Sequence, residues 1–312
     1  MLFPLNMTPD LRGRLPSSRG DLLSMARADL EQGLVKIDDA AIRSVDWPLS
    51  DLRPMVIGLD GAVATTREGA MAFVLLMTAI NFKFWRLNDG KFERYTFNGK
   101  TGARALWAAF EAAWGLGEVS ADLFAQHLAE SGVGGIFGDI PDASSRSVML
   151  HEIISGDIAG ISAKTVARIT TCGRITVADA VQIARAWPLA YGDPYLKKIQ
   201  LALSMFGGYL RSVGVETDSS DLTAFADYQV PRVLRSLGIL QYAAPLAALV
   251  DDGTVIEPDS AEERCIRAAT ILACERIAAH CNATAADVDN LLWGSQEVAS
   301  KSRFHLTPTT WY

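Results

Sequence analysis

Apolar residues recur every three to four positions over most of the chain, the spacing of helices that bury one face. Ser120-Ala-Asp-Leu opens one such run, to about Leu128. Thr176-Val-Ala-Asp179 has the form of a capping box, and its helix runs to Trp187, where Pro188 stops it. Pro194 fits the first turn of a helix that covers Lys197 to Leu210. Ser260-Ala-Glu-Glu263 is a full capping box and opens a long helix to about His280. Thr284-Ala-Ala-Asp287 opens another, ending near Trp293 and Gly294. One region breaks the rhythm. FKFWRL, NDG and KFERYTF alternate around Asp89-Gly90, which predicts a two-stranded hairpin. Gly99-Lys100-Thr101-Gly102 then connects it to a helix over ARALWAAFEAAW. The pattern predicts a mainly α (α+β) fold with a small antiparallel sheet in its N-terminal third. It divides into residues 1–115, which carry the sheet, and a helical part, 116–312, within one compact unit.

The 312 residues suffice for one large domain or two. At 49% hydrophobic and 21% charged, the composition is that of an ordinary globular protein. A net charge of −7 argues against a uniformly basic, nucleic-acid-coating surface, and leaves room for a local basic groove. The four cysteines, Cys172, Cys265, Cys274 and Cys281, match neither a C-x-x-C pair nor a zinc knuckle. They read as small core residues of a cytoplasmic protein. MLFPLNMTPDLRGRL lacks the apolar core of a signal peptide. The most apolar stretch, Met71 to Phe84, is too short to span a bilayer.

Most catalytic signatures are absent. Gly99-Lys100-Thr101 invites a phosphate-loop reading, but no Gly stands five residues before Gly99. His127, His151, His280 and His305 have no partner at metal-ligand spacing. No G-x-S-x-G and no strand-linked G-x-G-x-x-G occurs, and no cofactor or metal is implied.

A carboxylate and a pair of lysines remain. In LTAFADYQVPRVLRSLG, Asp227 precedes a helix whose start suits Pro231 and whose end suits Gly238. Asp there is a natural N-cap, because its oxygens accept from the free N–H groups of the first turn. In GDPYLKKIQLALSMFGGYL, Lys197 and Lys198 sit at the end of the helix dipole that disfavours cations. Ile199, Leu201, Leu203 and Met205 share no single stripe, so this helix is expected to be buried on more than one face. A solvated pair is the plain alternative.

The blocks INFKFW, GKTGARALWAAF, DPYLKKIQL, LTAFADYQVPRVLRSLGIL, IRAATI, LLW and HLTPTTWY, in this order, resemble the queuosine salvage protein family. They cover roughly Asn81 to Tyr312; the earlier residues match loosely, around VKIDDAAI. The resemblance implies a queuosine 5′-phosphate N-glycosylase with a fold like that of helix-hairpin-helix DNA glycosylases. It implies Asp227 as the catalytic carboxylate and Lys198 as the contact to the substrate phosphate, ahead of Lys197. It places Asp289 of VDNLLW near the base, with Phe225 and Trp293 as stacking surfaces and Tyr228 and Arg267 as further substrate contacts. The chain departs from the family at three points. It has no His before His127, Thr78 stands where members often carry Asp, and Cys265 stands where they carry Glu.

The chemistry fits the resemblance. Cleaving a base–C1′ bond builds positive charge on the sugar, and one fixed anion beside C1′ stabilises it. The expected function is release of a free base from a modified nucleotide. One rival keeps the reaction but takes the base from DNA by flipping it out, with Lys198 as an amine nucleophile. Lys164, Arg168, Arg174, Arg232 and Arg235 would then touch phosphates. A second rival is a relative that binds nucleotide or nucleic acid without cleaving it.

Overall fold

Every residue from Ala70 to Ala79 is buried in the helix Arg67–Ala79. Every residue from Lys197 to Leu210 is buried in Lys197–Ser212, the helix it packs against. A helix apolar all round belongs inside the molecule. These two form the centre of the fold together with Ala261–Cys281, buried over most of its length. The computed structural model describes residues 15–48, 66–114 and 121–312. Fourteen α-helices and three two-stranded antiparallel pairs lie among them. The architecture is mainly α with small sheets. Ser120 and nearly all of the first fifteen residues fall outside the described residues. No helix among the described residues is long and apolar enough to cross a membrane.

The hairpin forms at the expected register, with Trp85 opposite Arg94 and Asn88 opposite Lys91. Its loop, Asp89 (φ 46°) and Gly90 (φ 76°), has both residues left-handed, the turn whose twist suits two strands. Gly99 to Gly102 is more than a connector. Asn98 (φ 46°) and Gly99 (φ 73°) make a second tight turn, pairing Thr96–Phe97 with Lys100–Thr101. A third pair joins Val35–Ile37 to Leu240–Tyr242, strands some two hundred residues apart that no local pattern announces. The helix Arg19–Leu30 packs along Ala261–Cys281, so the two halves of the chain share one core.

Local signals hold with instructive exceptions. Thr176 and Asp179 cap each other's backbone as a complete box. Pro188 ends that helix and also opens the short helix Pro188–Tyr191. The helix after Pro194 begins only at Lys197, because Leu196 is left-handed (φ 56°). At Ser260 the box is half made. Ser260 Oγ accepts from the Glu263 N–H, but the Glu263 carboxylate turns to Arg267. Of the cysteines, Cys265 and Cys274 are buried, and Cys172 is exposed rather than a core residue.

Candidate active site

The N-cap of the helix Val230–Ser236 is Gln229, not Asp227 as the sequence suggests; Asp227 stands two residues earlier and still accepts from the first free N–H groups. Its Oδ1 accepts from the N–H groups of Gln229 (2.7 Å) and Val230 (3.0 Å) at the start of that helix. Among the described residues no protein group bonds its other oxygen. The side chain is 7% exposed and lies on the wall of a cleft. The cleft is partly open to solvent. Two further charges share this wall, Lys197 from the Lys197–Ser212 helix and Asp289 from Ala285–Gly294. Asp289 Oδ1 accepts from the Phe225 N–H (2.9 Å), so the FADY segment and the Ala285–Gly294 helix are tied together.

The electrostatics pull in opposite directions. Burial pushes both carboxyls up, and the neighbouring Asp227 charge adds to the rise at Asp289, which reaches about 8. The Lys197 ammonium and two N–H donors work against that rise at Asp227. Of the pair, Asp289 holds its proton the more firmly, because the Asp227 charge raises it while Lys197 and two N–H donors oppose the rise at Asp227. Burial lowers Lys197, and the negative charge of the neighbouring carboxylates, Asp227 first, opposes that fall.

Of the expected substrate contacts, Lys197, Phe225, Tyr228, Asp289 and Trp293 line the cleft with Asp227. Two do not. The Lys198 Nζ turns into the core, where it donates to the Ala79 carbonyl (2.7 Å) and lies 5.0 Å from the Phe82 ring. Successive residues on a helix point about 100° apart, so only one of the two lysines reaches the cleft, and it is Lys197. Arg267 lies behind the wall, its guanidinium on Asp193 and on the Ala226 carbonyl.

The hairpin region supplies a side of the cleft that the sequence did not assign. Asn81, Phe84, Arg94, Thr101, Arg104 and Trp107 all reach it. Arg104 lies over the Trp293 ring at 5.5 Å, and Trp107 packs against that ring at 5.2 Å. Buried Arg146, donating to the Pro141 and Phe82 carbonyls, pins the segment that carries Asn81 and Phe84. The NFKFW block, one of those that carry the family resemblance, was the available signal. Lys100 itself is exposed, away from the cleft. Lys100→Ala is expected to leave any activity of the protein within about threefold, as surface substitutions usually do. A collapse of turnover in a folded Lys100→Ala protein would contradict that.

A family model described as queuosine salvage protein matches residues 196–312, the stretch that holds Lys197, Asp227 and Asp289. A protein of Dictyostelium discoideum named queuosine 5′-phosphate N-glycosylase/hydrolase is 23% identical over 257 residues, 77% of each chain. A protein of the same name from Sphaerobacter thermophilus is 31% identical over 324 residues, 95% of this chain and 99% of that one. The chain belongs to the queuosine salvage protein family. Thr78 and Cys265, two of the positions where the resemblance implies a departure, both have partners inside the protein. Thr78 Oγ1 donates to the Val74 carbonyl and meets the Tyr191 hydroxyl. Cys265 is buried against the backbone of Leu34 and Val35. Neither lines the cleft.

Proposed function

We propose that the protein is an N-glycosidase that hydrolyses queuosine 5′-phosphate and releases the free base. One observation carries the reading. Asp227 is a buried carboxylate with one oxygen fixed by two N–H groups and the other unclaimed, on the wall of a cleft that it shares with Lys197 and Asp289. The base–C1′ bond breaks with its electron pair going to the base. The cation left on the sugar is stabilised by Asp227. Water adds to C1′, the base gains a proton, and the sugar keeps a 1′-hydroxyl. Asp289, the carboxyl that holds its proton the more firmly, supplies a hydrogen bond to the departing base. Trp293 and Phe225 flank the base. Lys197, the buried cation of the cleft, meets the phosphate, the role expected of Lys198 from the resemblance. No step requires a cofactor.

Of the basic residues considered for DNA, Lys164 is exposed, and the four arginines are engaged within the protein, which favours this reading. Arg168 pairs with Asp179, Arg174 with Asp218 and Arg235 with Asp251, while Arg232 donates to the carbonyls of Gln296 and Ala299. The test is a substrate panel of queuosine 5′-phosphate, queuosine and DNA bearing a modified base, with free base followed by mass spectrometry. Release from the nucleotide, with none from DNA at low salt, is expected. Release from DNA alone would replace this reading with base excision.

The pH dependence follows from the pair. kcat/KM should fall in acid as Asp227 takes a proton, and fall again in alkali as Asp289 loses its own near pH 8. Asp289→Asn cannot lose a proton, so the fall near pH 8 should be lost, leaving only the later fall as Lys197 gives up its proton. An alkaline limb unchanged in that variant would remove Asp289 from the proton account.

A further inference from the structure

We infer that Arg267 is a positioning residue that holds Lys197 and Asp227 at their working separation without touching the substrate. The inference rests on the proposed function of the cleft. Arg267 is 1% exposed and does not line the cleft. Its two terminal nitrogens bond both oxygens of Asp193, at 2.9 and 2.6 Å. Its Nε donates to the Ala226 carbonyl at 3.1 Å, one residue before Asp227. Asp193 in turn accepts from the Tyr195 N–H (3.1 Å) and the Lys197 N–H (2.8 Å), fixing the first turn of the Lys197–Ser212 helix. One planar fork therefore joins the backbone that carries the cation to the backbone that carries the anion. No other side chain among the described residues bonds both Asp193 and Ala226.

The fork is itself fixed. Glu263 approaches it at 3.5 Å from the same helix, and the rings of Tyr312 (4.6 Å) and Tyr195 (5.0 Å) cover it. Arg267 sits in Ala261–Cys281, the longest helix among the described residues, and from there reaches the loops that carry Asp193 and Ala226. A charge placed there acts on the site as well as on the fold: it lowers Asp227, opposing the rise that burial imposes. Lysine does not substitute for this geometry. An ammonium presents its donors from one point and cannot span the Asp193 carboxylate while also reaching Ala226.

The decisive quantity is the ratio of kcat/KM for queuosine 5′-phosphate to kcat/KM for queuosine. This ratio does not depend on how much of the sample is active, so a purely structural role leaves it unchanged. In Arg267→Lys, Lys197 shifts and the ratio should fall about tenfold, the scale of one charged hydrogen bond. kcat on the nucleotide should fall by on the order of 10²-fold, because misplacement of Asp227 by about an ångström has that effect. Should Arg267→Lys not fold, Asp193→Asn decides. It leaves Arg267 on Ala226 and releases only the lysine side, so the ratio should again fall with a smaller loss of kcat. A folded variant with the native ratio and native kcat overturns the inference. A native protein that releases base but does not discriminate nucleotide from nucleoside overturns it too, and leaves the glycosidase reading standing. A native protein that releases no base from either overturns both.

Discussion

Asp227→Asn should give a folded protein that releases base about 10² to 10³ times more slowly than the native one, the usual loss when one electrostatic contact to a transition state is removed. The asparagine keeps an oxygen for the Gln229 and Val230 N–H groups, so those bonds and the start of the Val230–Ser236 helix survive. What goes is the negative charge beside C1′. The variant should also be no less stable than the native protein. Burying an ionised carboxylate costs free energy, and burial has pushed this one upward. Thermal unfolding and single-turnover base release, on the same preparation, check both halves. Turnover within a few-fold of native would make Asp227 a holder of the helix start and nothing more.

The second large effect separates two neighbouring lysines. Lys197→Met should cut kcat/KM for the nucleotide by about 10²-fold, the value of a buried charged contact to phosphate, and change that for the nucleoside far less. Its acid limb should move to higher pH. The Lys197 charge opposes the upward push on Asp227, so without it Asp227 takes its proton earlier on acidification. Lys198→Met should fold and keep kcat/KM within about threefold, because what it removes lies in the core, a bond to the Ala79 carbonyl and contacts with Met149 and the Phe82 ring. The expected cost is about 1 kcal/mol of stability from the orphaned carbonyl. Paired kinetics of the two variants on nucleotide and nucleoside check this. Loss of activity at Lys198 with Lys197→Met intact would reverse the assignment. A borohydride-trapped adduct on Lys198 would make it a nucleophile.

Much of this was legible in the chain before any coordinates, and the limits are physical. Asp227 and its helix could be placed, to within two residues at the cap, because capping is local: an acid, a proline and a glycine at fixed offsets define it. The Asp89-Gly90 hairpin was legible for the same reason. The choice between Lys197 and Lys198 was not, since it depends on the rotation of a helix buried on all sides, where hydrophobic pattern carries no phase. The half-made box at Ser260 shows the converse. Glu263 satisfies the local rule in sequence, and a tertiary partner, Arg267, takes its carboxylate. Arg267 was expected at the substrate on the family resemblance alone. Its actual partner, Asp193, is 74 residues away, and no local pattern records such a pairing. The strand pair Val35–Ile37 with Leu240–Tyr242 and the cleft wall made by Arg94, Thr101 and Arg104 were missed on the same ground.

The central claim is that this cleft hydrolyses a nucleotide's base–C1′ bond through Asp227. The most direct measurement incubates native and Asp227→Asn proteins with queuosine 5′-phosphate and quantifies free base and ribose 5-phosphate by mass spectrometry. The native protein should give both products in equal amounts, and the variant on the order of 10² times less of each. No base from the native protein, or equal release by the variant, would contradict the account.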